Sequence, residues 1–147
     1  MAVDVLSEIV IDRPYEQVAA YAADPSHAPD WYVNIDSVDW LTDPPVRVGS
    51  RMAFVARFLG RRLAYTYEIV EYVPGQRLVM RTAEGPFPME TTYTWQGDGA
   101  DRTRMTLRNR GEPAGFSRLA EPFMAVAMRR ANRNDLAALK TRLETAG

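Results

Sequence analysis

The chain contains no cysteine, which excludes disulfides, a thiolate nucleophile and the zinc sites that cysteine builds. It has one histidine, His27, too few for a histidine-rich metal site. No apolar run approaches the ~20 residues that a membrane-spanning helix needs. The start, MAVDVLSEIVIDRP, has no basic stretch followed by an apolar block, so it does not read as a secretory signal. Neither sign of charge is in excess. A net charge of −1 gives no strong field toward nucleic acid or an anionic membrane. These absences predict a cytoplasmic protein with no nucleic-acid partner, no integral membrane contact, no metal and no cofactor.

What is present fits one globular domain over residues 1–147. A chain of that size buries roughly two thirds of its unfolded surface, so a real core is expected. Ala2 to Ile11 mixes apolar and polar residues with many β-branched side chains and reads as an opening strand. DRPYEQVAAYAADP then carries Pro14 at a helix start, Glu16 in the first turn, and Val18, Tyr21 and Ala22 at helical spacing. Asp24-Pro25 forms a new cap and first position, which predicts a second, very short helix. The helical pair spans about 14–32.

From Asn34 to Arg110 the period changes to two. One side carries Val38 and Trp40; Met52, Phe54, Ala56 and Phe58; Leu63, Tyr65, Tyr67 and Ile69; Leu78 and Met80; Met89, Thr91, Tyr93 and Trp95; Met105 and Leu107. The other side is polar, with Arg51, Glu68, Arg81, Glu90 and the stripe Arg102, Arg104, Arg108 and Arg110. One apolar and one wet face mark an antiparallel sheet. LGRR, VPGQR, EGPFP and GDGADR supply the turns. Phe116 to Ala146 is rich in Ala, Leu, Arg and Met and reads as a long helix, with Pro122 kinking it or marking its first turn. Its apolar stripe is broken. Phe116, Leu119, Phe123 and Ala127 share one face, while Leu136, Leu139 and Leu143 share another, so the helix should bend or change partners midway.

The order of elements, with IDRPYEQVAAYAADPSHAPDWY, VGSRMAF, YEIVEYVPGQRLVMRT and DLAALKTRLE, resembles the helix-grip (SRPBCC) superfamily over nearly the whole chain. That group includes START lipid-transfer domains, birch-pollen-allergen-like proteins and the polyketide cyclase/dehydrase family, to which this chain looks nearest. The resemblance implies an α+β fold in which a curved antiparallel sheet of about seven strands wraps a long C-terminal helix, with two short helices after the first strand. It also implies a cavity between sheet and helix for a small, largely apolar ligand. It supplies no shared set of catalytic residues.

On this reading Trp31, Tyr32, Phe54, Phe58, Tyr65, Tyr67, Met80, Phe87, Met89, Tyr93, Met105 and Phe123 surround a hydrophobic or aromatic ligand such as a lipid, polyketide or isoprenoid. The tyrosines Tyr65, Tyr67 and Tyr93 would orient it. Trp31 and Tyr32 act as a gate or wall, or pack as ordinary aromatics under a loop. Phe87, on the hairpin GPFPM, is a lid residue or a tucked-in turn aromatic. The same apolar stripe also suits a filled core. His27 and Asp30 have the types of an acid/base pair, but His27 lies on no strand's inner face and reads as a polar corner. The arginine stripe reads as a solvated outer face paired with Glu90 or Glu68. Because the inner face lacks Asp, Glu, Lys, Cys and His, ligand binding is favoured over catalysis. A cyclase, aromatase or dehydratase remains an alternative, as does an interaction protein of the ubiquinone-chaperone or toxin-like kind. An exposed edge strand near Val33–Leu41 leaves room for a homodimer.

Overall fold

The computed structural model describes residues 3–112 and 121–145. Seven strands form one antiparallel sheet in the order β1-β7-β6-β5-β4-β3-β2. They are β1 (Val3–Ile11), β2 (Ile35–Trp40), β3 (Arg51–Phe58), β4 (Arg61–Val73), β5 (Arg77–Glu84), β6 (Met89–Gly97) and β7 (Thr103–Gly111). Between β1 and β2 come α1 (Tyr15–Ala23), a 3-10 turn (Pro25–His27) and α2 (Ala28–Trp31). The last element is α3 (Glu121–Thr145). The expected α+β order is present, and the sheet curls around the helix as a half-barrel of the helix-grip type.

Local chemistry explains the elements. The Asp24 side chain accepts the Ser26 N–H at 2.9 Å, capping the 3-10 turn that Pro25 begins. β3 and β4 join through Leu59 and Gly60, with φ of 50° and 76°. Two successive positive φ values give the twist of a two-residue hairpin. The β4–β5 ladder shifts register at Thr66/Tyr67 and Ile69/Glu71, and such bulges bend a strand. The β5–β6 hairpin is pinned by Thr82, whose hydroxyl accepts from Met89 N at 2.8 Å and donates to Met89 O at 3.1 Å.

The outer face is a lattice of ion pairs. Arg102, Arg104 and Arg108 pair with Asp12, just after β1, and with Glu8 and Asp4 on β1, at 3.3, 3.3 and 2.6 Å. Arg110 pairs with Glu90, which also binds Arg81, while Glu68 binds Arg51. The partners of the first three are therefore acids on or just after β1, rather than Glu90 or Glu68. That edge joins two segments ~100 residues apart, a pairing that local pattern does not reveal. Exposed pairs of this kind add little stability each.

The inner face is divided. Ile11, Ile69, Trp95, Met105, Leu107, Leu136, Leu139 and Leu143 belong to one buried cluster with Trp31 and the alanines of α1, and the same cluster runs on through Phe54, Tyr67, Leu78, Met80 and Tyr93. Val3, Val5 and Met124 form a second, joined by Phe58, Ala125 and Met128. Helix α3 meets the second cluster through Met124 and the first through Leu136, Leu139 and Leu143. Pro122 falls in its first turn. Phe116 and Leu119 lie outside the described residues. Among the described residues no helix is long and apolar enough to cross a membrane.

Candidate functional site: a cavity between the sheet and the C-terminal helix

A cavity of about 130 Å³ is lined by members of both clusters. It is comparable with the ~150 Å³ apolar cavities that accept a benzene-sized guest. The strands supply Phe54, Phe58, Tyr65, Tyr67, Met80, Met89 and Tyr93 to its wall. Tyr32, where α2 ends, and Phe87, at the β5–β6 turn, also reach it. Phe87 is tucked in and buried.

Three expected lining residues lie elsewhere. Trp31 is 1% exposed and sits in the filled cluster behind Tyr32, with ring centroids 4.3 Å apart. It backs the wall rather than gating it. Met105 points inward but belongs to the filled end, because it pairs with Trp95 on β6 and Ile9 on β1. Phe123 is 75% exposed; its neighbour Met124 is buried and lines the cavity. The helix phase there is one residue away from the phase the sequence suggests.

The larger correction concerns polar groups. The strands' inner positions hold no carboxylate in the cavity, but α3 brings one. Asp135 is 3% exposed and lines the cavity, with Asn132 one turn before it. Asp135 Oδ1 accepts the Val33 N–H at 2.9 Å, tying the chain after α2 to α3. Burial pushes its carboxyl up to about 7, against the pull of that one N–H. These residues escaped the sequence reading for a physical reason. Met124, Met128, Asn132, Asp135, Leu139 and Leu143 follow one face at steps of three and four, and its two polar members interrupt the apolar pattern. A polar pair interrupting a long apolar stripe was the available signal.

Two hydrogen-bonded groups complete the wall. Tyr32 and Tyr93 share a hydroxyl–hydroxyl bond of 2.5 Å. Whichever donates, the other keeps a proton to offer. Tyr67 Oη lies 2.8 Å from Thr91 Oγ1, which donates to Asn109 Oδ1 at 2.6 Å. Thr91 has one proton, so Tyr67 is the donor of the first bond. Asn109 Nδ2 then donates to Asn132 Oδ1 at 2.7 Å. The chain ends at Asn132 Nδ2, which is buried without a partner. Burial raises all four phenols, Tyr32, Tyr65, Tyr67 and Tyr93, with Tyr67 pushed up to about 12. They stay neutral donors near neutral pH.

His27 is a corner residue. Its ring stacks on Tyr21 at 4.1 Å, and Nδ1 lies 2.9 Å from the Tyr21 carbonyl. Asp30 faces Tyr21 and Arg142 outside the cavity. Among the described residues no cluster of His, Cys, Asp or Glu could hold a metal ion.

A curled seven-stranded sheet gripping a C-terminal helix, with an apolar cavity between them, defines a START-type helix-grip protein. A model of the family described as polyketide cyclase / dehydrase and lipid transport matches residues 2–144, and the chain belongs to that family. Similar solved structures include a protein of Thermus thermophilus, at TM-score 0.84 and 22% identity over 98% of this chain and 99% of that one. The ZhuI aromatase/cyclase from a Streptomyces species gives 0.82 and 17%, over 96% and 93%. A START superfamily protein from Mycobacterium smegmatis gives 0.81 and 14%, over 98% and 99%. At these identities the structures speak for the fold. No curated protein matches the sequence.

Proposed function

We propose that the protein binds one small, largely apolar or aromatic molecule in the cavity between the sheet and α3. The observation that carries this reading is the cavity itself, lined by members of both clusters and walled by aromatics, methionines and a few polar groups. Ligand sites have this composition: mostly apolar, with few placed polar atoms. Tyr65, the Tyr32–Tyr93 pair and Asp135 would orient the guest. Purified protein, denatured and extracted, should release a small molecule detectable by mass spectrometry. A crystal structure with side chains filling the interior would refute the reading.

A second reading, a cyclase- or dehydratase-type enzyme, is favoured by Asp135 alone. A carboxyl that titrates near neutral pH among phenolic hydroxyls has the properties of a general acid or base. Loss of turnover in Asp135→Asn, with ligand binding retained, would support it. Unchanged turnover would remove Asp135 from that role.

A further inference from the structure

Asp135 is a carboxylate for which the described residues supply no counter-ion. Its one hydrogen bond is to a backbone N–H, on Oδ1. Of the two arginines that reach the cavity, Arg57 pairs with Asp36 at 2.9 Å and Arg110 with Glu90 at 3.3 Å through its terminal nitrogen, while Arg110 Nε is buried without a partner. Lys140 is held by Glu144 and the Val10 carbonyl. The titratable groups that face Asp135 are phenols: Tyr32 after α2, Tyr65 on β4 and Tyr93 on β6. None brings positive charge.

The rest of the cavity suits a cation. Tyr65 packs between Phe54 and Tyr67, with ring centroids 5.5 and 5.0 Å away. Aromatic faces attract ammonium groups, most strongly where water is excluded. On the same wall as Asp135, one turn earlier, Asn132 is 1% exposed and its Nδ2 has no partner. Asp135 is thus left for a donor on the guest, whereas Asn132 Nδ2, itself a donor, is left for an acceptor atom beside it. A fatty-acid carboxylate there would meet a like charge.

We propose that the cavity takes an amphipathic ligand whose polar end is a protonated amine, paired with Asp135 and flanked by the aromatic wall of Phe54, Tyr65 and Tyr67. This rests on the ligand-binding reading above and narrows it to a chemical class. Much of the desolvation cost is already met in the empty protein, since the carboxyl is buried before the ligand arrives. Amine binding favours ionised Asp135, so it should release a proton near neutral pH and strengthen from pH 5.5 to pH 8.

The test uses three probes with one ring system: 2-naphthylmethylamine, 2-naphthylmethanol and 2-naphthoate, titrated calorimetrically into the full chain at pH 8 and pH 5.5. At pH 8 the amine should bind about tenfold or more tighter than the alcohol, as a charge-assisted contact implies, and the naphthoate weakest. Asp135→Asn should erase the amine-to-alcohol ratio. The wild type alone gives a second check that does not depend on the variant's folding: the ratio should shrink at pH 5.5. An amine-to-alcohol ratio near one at both pH values, or a preference for naphthoate, would overturn the amine assignment while leaving ligand binding in place. Failure of all three probes to bind would overturn both.

Discussion

Asp135→Asn should make the empty protein more stable, and by an amount that depends on pH. The aspartate is almost fully buried and its carboxyl is pushed from the ordinary 3.8 up to about 7. At ~1.4 kcal/mol per pH unit, that rise is worth on the order of 4 kcal/mol. The folded chain holds this proton more tightly than the unfolded chain does. Below about pH 4 both states are protonated and the group costs nothing. Between about pH 4 and 7 the unfolded state ionises first, so stability falls as pH rises; above about 7 the loss is complete. Asparagine keeps an oxygen to accept from Val33 N and carries no charge. Urea unfolding of wild type and variant at pH 4.5, 6 and 8 isolates the effect, because other titrating groups cancel in the difference. The variant's advantage should be small at pH 4.5 and approach about 4 kcal/mol at pH 8. A difference that is constant with pH, or a variant less stable at pH 8, would refute the reasoning.

Three further substitutions test the geometry. Leu139→Ala, at a fully buried site of the filled cluster, should cost about 2–5 kcal/mol in urea unfolding. Met124→Ala should cost about as much, whereas Phe123→Ala should stay within about 0.5 kcal/mol; the reverse order would mean that α3 is rotated by one residue. Gly85→Ala would place a Cβ 2.9 Å from Tyr65 Cβ and 3.1 Å from Thr82 Cγ2, neither of them the far end of a flexible chain. It should cost about 1–3 kcal/mol and shift Tyr65 in the wall, readable as altered probe affinity.

The sheet was legible in the sequence because alternation survives wherever one face is buried. Phe54, Tyr65, Tyr67, Met80, Met89 and Tyr93 were assigned to the inner face and line the cavity. What alternation cannot say is which part of an inner face is filled. Met105 and Tyr93 have the same pattern, yet one faces packed side chains and the other the cavity. The helix was harder. The spacing of Phe116, Leu119 and Phe123 suggests a phase one residue away from the buried one at Met124, and one residue turns a helix by ~100°. The face that is buried, that of Met124 and Met128, also carries Asn132 and Asp135. A search for apolar periodicity discards such residues, although in a ligand site they are the ones that orient the guest. The ion pairs along the β1–β7 edge are hidden because they join residues 90 to 104 positions apart, from Asp12 and Arg102 to Asp4 and Arg108.

The central claim is that the space lined by members of both clusters is a binding cavity. The most direct measurement is calorimetric titration of 2-naphthylmethanol into wild type and into Ala131→Phe, which places a ring on the α3 wall of the cavity. The account predicts one site per chain in the wild type and loss of binding in a folded Ala131→Phe. Equal binding by both proteins, or none by the wild type, would contradict it.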